Sequence, residues 1–412
     1  MYQAYNARPI PQPYRPHTGR KKWIALFLLV TLLTGYTAFA LLRPLPPLKT
    51  TVLPPVVPAQ VRVDIPWPNA GQSAFGADEY GLLATNGAQT PRPTASIAKV
   101  ITALAILEKK PLQSGEVGPP ILFTEKDLVL YQQYVAKDGA VVPVTVGQSM
   151  TEYQALQAML LPSANNIADT AAIWAFGSME AYTKYANAMV RKLGMAQTTI
   201  NDASGFSPLT VSTASDLVRL GDAALDHPVL AGIMSQKQVS LGYGVTYNNV
   251  NNLLGQHGIR GIKTGNTEEA GGCYLAAADV YIGNNKVTVI TAILGSTSRP
   301  QAMKDSLPII DSAVSQFQNV HIVRAGQNAG QVTSAWGGSS NIVAKKDISV
   351  LSWTGTSLAP KVSPSTLHRP AVAGAKTGNL SLSYSGKTQN SDLQLETSIP
   401  GPTLWWRLTH PL

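Results

Sequence analysis

Twenty consecutive residues without a charge, Trp23 to Leu42 (WIALFLLVTLLTGYTAFALL), set the first limit on what this chain can become. A helix of ~20 residues matches the ~30 Å hydrocarbon core of a bilayer. The preceding 22 residues carry Arg8, Arg15, Arg20, Lys21 and Lys22 and no acid. By the positive-inside bias, 1–22 is read as a cytoplasmic basic tail, 23–42 as a transmembrane anchor and the rest as extracytoplasmic. Gly35 and the Ala38-Phe39-Ala40 triplet fit a second reading, a signal segment cleaved near Ala40 that would leave the body secreted or periplasmic. The Pro-rich lead and the apolar Leu41 and Leu42 favour the anchor. From Arg43 to Pro68 eight of 26 residues are proline, a composition that favours extended backbone, so 43–68 is expected to be a linker or stalk.

The 412 residues contain 32 Lys and Arg against 23 acids, a net charge of +9, but five of the positives lie in that tail. The body is only mildly basic. That argues against nucleic acid as a partner, because a phosphate-binding face needs its cations on the folded part. The single cysteine, Cys273, allows no intrachain disulfide or dithiol pair and is read as a small buried apolar residue. With no His-x-x-His and no Cys/His cluster, neither a metal site nor any other cofactor is expected.

In the body, Tyr80–Ala84 reads as a strand ending at the turn-forming pair Asn86-Gly87. Ile97, Val100, Ile101, Leu104 and Leu107 recur at helical spacing with alanines on the other faces, the pattern of a helix buried nearly all round. Ser149 and Glu152 suggest a capping box before a helix to about Leu161, and a second helix is expected over Asn165–Phe176. Tyr274–Ala278 and Val287–Leu294 read as buried strands. After Gln318 short apolar stretches alternate with Gly, Ser, Asn and Pro, as in a small all-β domain. The expected division is 69–318 for a catalytic domain and 319–412 for a β domain. In the terminal TLWWRLTHPL, Trp405 and Trp406 are read as part of a strand packed on a domain core, with a membrane interface as the alternative.

Lys99 is the only charge in the first apolar helix. Burial disfavours a lysine's charged form, and such lysines become usable as bases. Ser96 lies three residues earlier on the same face, near a helix start whose free N–H groups can steady an oxyanion. Serine beside neutral lysine is a nucleophile and its base. Ser-x-x-Lys occurs once among the 19 lysines. Two further elements follow in order, Ser163-Ala164-Asn165 between two helices and Lys263-Thr264-Gly265 before a strand, and the three together form the ordered set of penicillin-binding proteins and class A β-lactamases. A second Lys-Thr-Gly, Lys376-Thr377-Gly378, lies in the Gly/Ser-rich tail and is read as a turn.

From about Ala74 onward the chain resembles the low-molecular-weight penicillin-binding proteins that act as serine-type D-alanyl-D-alanine carboxypeptidases. The resemblance rests on RPTASIAK, MLLPSANNIADTAA, the LGM and ASGF stretches at Leu193 and Ala203, and GIKTGNTEEAGGCYLAAA, with VRAGQNAG and AKKDISVL matching the C-terminal β domain. It implies an α/β (α+β) serine β-lactamase/transpeptidase-like domain, helices on an antiparallel sheet, followed by an all-β sandwich. It also implies Ser96 as nucleophile, Lys99 as base, Ser163 as proton relay and Asn165 as a positioning group. Lys263, Thr264 and Gly265 would line the substrate site, the N–H groups of Ser96 and Asn266 would form the oxyanion hole, and Arg299 would hold the terminal carboxylate. The implied partners are the peptidoglycan stem peptide and β-lactams as covalent inhibitors. Relatives often carry a C-terminal amphipathic anchor; here the N-terminal segment is expected to take that role.

A class A β-lactamase needs a glutamate to activate the deacylating water. Between Asn165 and Lys263 the sole glutamate is Glu180, in a stretch that reads as helix. A Ser-His-Asp triad has no support, since His227, His257, His321, His368 and His410 lack a partner motif and His17 falls in the tail. A catalytically silent wall-binding module with the same fold stays open.

Overall fold

The computed structural model describes Met1 and residues 18–60, 64–241, 245–367 and 370–410. Arg8, Arg15, His17, His368 and Leu412 lie outside the described residues. The first helix, α1 (Thr18–Leu42), is long and apolar enough to cross a membrane and is almost wholly exposed.

The body is built on a five-stranded antiparallel sheet in the order Ile259–Thr267, Gly271–Ile282, Asn285–Ser296, Gln72–Ala77 and Gly81–Asn86. Its second strand, Gly271–Ile282, is covered on both faces, and the two-residue period of a strand decides which side chain faces where. Cys273, Leu275 and Ala277 enter one core with the helices α2 (Ala98–Lys109) and α7 (Ala214–Leu225); Tyr274, Ala276 and Ala278 enter the other beneath α9 (Arg299–Gln316). The first core extends into a helical layer of α3 (Glu125–Val135), α4 (Glu152–Leu160), α5 (Asn165–Phe176), α6 (Met179–Lys192) and α8 (Pro228–Met234). At its centre α2 is buried from Ala98 to Leu107, as its all-round apolar pattern requires.

Two local expectations shift. The cap of α4 is Thr151 with Gln154, not Ser149 with Glu152, because Ser149–Thr151 pairs as a short strand with Pro120–Leu122 and holds the backbone extended two residues longer. The reversal that joins the Gly81–Asn86 strand to its neighbour lies before it, between Ala77 and Gly81, while Asn86-Gly87 leads away from the sheet.

At Phe317 the chain passes from α9 straight into the all-β region. A six-stranded sheet and the ribbon of Phe317–Val323 with Ile348–Trp353 share a core of Val320, Ile322, Val332, Ile342, Val350, Leu380, Leu382 and Leu393. The second Lys-Thr-Gly opens a strand, Lys376–Tyr384, rather than a turn: it pairs with Lys387–Leu395, and Thr377, Leu380 and Leu382 point inward. The proline-rich segment is not a free stalk either. Its Lys49–Val52 forms the edge strand of the six-stranded sheet against Asn328–Thr333. Nor is the terminal Trp pair in a strand; Leu404–Thr409 is a short helix, α10, docked on α1.

Candidate active site

Ser96 occupies a single 3-10 turn, Ala95–Ile97, that opens directly into α2. Ala95 takes φ +47°, a left-handed conformation that costs an alanine ~1 kcal/mol and turns the half-buried serine towards a cavity. One helical turn later Lys99 has no exposed surface. Its Nζ lies 2.8 Å from Ser96 Oγ and donates to Asn165 Oδ1 at 2.7 Å and to the Ser204 carbonyl oxygen at 2.8 Å. Burial pulls its pKa from 10.5 down to about 7, against the opposing pull of Asp202 and Asp169. A neutral amine has two N–H donors and one lone pair. Asn165 Oδ1 and the Ser204 carbonyl can only accept, so they take the two protons and leave the lone pair for the one partner with a proton to give, the Ser96 hydroxyl.

Ser163 approaches from the α4–α5 junction. Its φ of +68° is left-handed for a serine and belongs to the sharp bend that follows Pro162. Asn165 is the first residue of α5. Lys263 and Thr264 are buried on the edge strand of the five-stranded sheet, and Lys263 Nζ donates to Ser163 Oγ at 3.0 Å. Burial first, then the positive charges of Lys99 and Arg299, hold the Lys263 pKa well below the usual lysine range. Gly265 is a glycine for a spatial reason: a Cβ there would stand 2.9 Å from the Thr94 carbonyl oxygen, 3.0 Å from Ala95 Cβ and 3.2 Å from the Ser96 nitrogen. The strand therefore lies flush against the serine's own turn. Ser96, Ser163, Asn165, Thr264, Gly265, Asn266 and Arg299, the first residue of α9, all line one cavity of about 130 Å³.

Behind Lys99 lies a partly buried polar chain that sequence reasoning did not find. Tyr134 donates to Asp169 Oδ2 at 2.8 Å and meets Ser204 Oγ at 3.0 Å; Ser204 Oγ donates to Asp202 at 2.8 Å. Burial pushes the Asp169 carboxyl up to about 7. The available signal was the ASGF stretch itself: a serine and glycine beside Asp202 at a point with no helical or strand period. Gly205 is needed there, since a Cβ would fall 1.9 Å from the Ala95 carbonyl oxygen. Asp138, Gly139 and Phe206 also line the cavity and were not singled out by sequence. Glu180 lies in the first turn of α6 and does not line it. Among the described residues no group of three or more His, Cys, Asp or Glu could hold a metal ion.

The family model for D-alanyl-D-alanine carboxypeptidases matches residues 78–298. A D-alanyl-D-alanine endopeptidase of Pseudomonas aeruginosa is 32% identical over 207 residues, 48% of this chain and 64% of that protein. The D-alanyl-D-alanine carboxypeptidase DacA of Escherichia coli is 25% identical over 325 residues, 74% of this chain and 77% of that protein. Among solved structures, penicillin binding protein 5 from Haemophilus influenzae aligns with a TM-score of 0.58 at 17% identity, covering 83% of this chain and 99% of that one. The Streptomyces K15 DD-transpeptidase aligns with a TM-score of 0.54 at 24% identity, covering 60% and 98%. These two show the shared fold. With the family match spanning more than half of the sequence, the chain belongs to the D-alanyl-D-alanine carboxypeptidase family of serine hydrolases.

Proposed function

We propose that the chain removes the terminal D-alanine from peptidoglycan stem peptides through an acyl-Ser96 intermediate. The Ser96 hydroxyl gives its proton to neutral Lys99, and its oxygen attacks the carbonyl between the last two D-alanines. The oxyanion is held by the N–H groups of Ser96 and Asn266, and one such donor is worth roughly 3 kcal/mol of barrier. The C–N bond then breaks as Ser163 gives its proton to the leaving amine and takes one from the Lys99 ammonium, which returns to the neutral form, and D-alanine departs with its carboxylate released from Thr264, Lys263 and Arg299. Water hydrolyses the ester and restores the serine. The observation that carries this reading is the 2.8 Å contact between Ser96 Oγ and a lysine whose charge burial disfavours.

A penicillin amide would enter the same path and stop at the ester, because its amine stays tethered. The test is intact mass of the full chain in detergent over a time course with penicillin, beside Ser96→Ala. A stable adduct absent from the variant, with D-alanine released from a stem-peptide substrate, is the expected result. Rapid adduct loss with accumulating hydrolysed penicillin would instead indicate a β-lactamase, and no adduct a silent binding module. One relative is named an endopeptidase, and the chemistry differs only in which amine leaves; cleavage of cross-linked dimers in preference to pentapeptide would favour that second reading.

We further propose that α1 is retained as an anchor with its N-terminus cytoplasmic and the body outside. Ala40, the last residue of the Ala-x-Ala triplet, has no exposed surface, and the Tyr36 hydroxyl donates to the Leu408 carbonyl of α10.

A further inference from the structure

The short helix α10 turns one face to α1 and leaves the other bare. On the inner face, Arg407 donates to the Leu41 carbonyl at 2.7 Å, Arg43 stands 5.5 Å over the Trp406 ring, and Trp406 packs edge-on against Trp336 of the β domain. On the outer face Leu404 and Trp405 are 69% and 75% exposed. Tyr36, which holds Leu408, lies six residues inside Leu42, or about 9 Å down the helix axis at ~1.5 Å per residue. If Leu42 marks the outer edge of the span, α10 sits at and below the level where headgroups meet acyl chains. That is the depth at which tryptophan, with an apolar ring and one N–H donor, is most at home.

We propose that α10 and the outer end of α1 form a collar that docks on the lipid surface, with Leu404 and Trp405 in the interface. The collar is tied to the body twice, through Trp336 and through the Lys49–Val52 strand, six residues beyond Arg43. The β domain therefore rests on the bilayer in one orientation instead of swinging on a stalk. This rests on the retention of α1.

The test is spin-label accessibility in the full chain, reconstituted in bilayers of phosphatidylcholine and phosphatidylglycerol in equal parts. Leu404→Cys and Trp405→Cys are labelled separately, with Ser114→Cys, exposed on the catalytic domain, as the aqueous control. Native Cys273 is fully buried and does not take label. Two collar sites guard against one substitution disturbing the helix, and melting temperature checks each variant. The expected result is label at both collar sites reached several-fold better by oxygen than by a water-soluble nickel reagent, with the opposite ratio at Ser114→Cys. Nickel access at both collar sites in an intact chain would overturn the proposal alone. Shielding from both reagents would overturn it in favour of a protein contact, such as a second copy. A mass showing a chain that begins near Leu41 would overturn it together with the anchor reading.

Discussion

The rate at which penicillin acylates Ser96 is expected to rise with pH through about 7 and then level off. A lysine with pKa 10.5 is neutral in roughly one molecule in three thousand at neutral pH, whereas at about 7 it is neutral in about half. Burial of Lys99 thus raises the reactive fraction on the order of a thousandfold. It does so at a cost of about 5 kcal/mol against the charged form. Second-order rate constants with a fluorescent penicillin, measured from about pH 5 to about pH 9, report the limb directly. Two variants separate the cause. Lys99→Met removes the base and should lower the rate by roughly 10²–10⁴-fold at every pH. Asp169→Asn removes a carboxylate that favours the charged lysine, so the limb should move to lower pH while the plateau persists. Because Asp169 itself titrates near 7, the wild-type midpoint belongs to the pair. A flat wild-type profile, or Lys99→Met acylating at the wild-type rate, would refute the assignment of Lys99 as the base.

Gly265→Ala forces a Cβ against the backbone of Thr94 and Ser96, so acylation should fall on the order of a hundredfold, read from the same rate constant. Tyr134→Phe deletes the donor to the buried Asp169 Oδ2 in a partly buried chain and should cost about 1–3 kcal/mol in urea unfolding. Lys99→Met should change the pH dependence of stability in one direction. A lysine with a depressed folded pKa binds fewer protons than in the unfolded chain between about 7 and 10.5, so its contribution to stability rises with pH across that window. The wild-type chain should therefore gain stability relative to Lys99→Met as pH rises from 7 towards 10, and parallel urea-midpoint curves would contradict it.

What the sequence carried was the local part of the design. Ser96 and Lys99 are readable as a pair because i and i+3 share a helical face, and the alanines around them already say that the face is buried. The strand Gly271–Ile282 is readable because two-sided burial leaves a continuous apolar run. Most of the misreadings concern a segment whose structure is decided by the strand or helix that it pairs with. Lys376-Thr377-Gly378 has turn composition but gains a ladder from Lys387–Leu395, and Lys49–Val52 has linker composition but finds a free edge at Asn328–Thr333. Trp405 and Trp406 were assigned to a strand because neither the period nor the propensity of six residues reveals that α1 is waiting to receive them.

The same distinction governs the chemistry. A Ser-x-x-Lys pair on an exposed helix would hold a charged, inert lysine, so the motif by itself is no catalyst. In the proposed mechanism Lys99 can serve as the base because Asn165 and the Ser204 carbonyl, supplied by two other segments, accept its two protons and leave its lone pair for Ser96. Ser204, which supplies one of those acceptors, also meets Tyr134 and donates to Asp202 through its hydroxyl, and the next residue, Gly205, has no room for a side chain. The pair points to the atoms proposed to react, while the lowered pKa that such a reaction needs is a property of the packed interior. A stretch such as ASGF, which places no group on the proposed reaction path, thus supplies part of the setting that lowers the charge on Lys99.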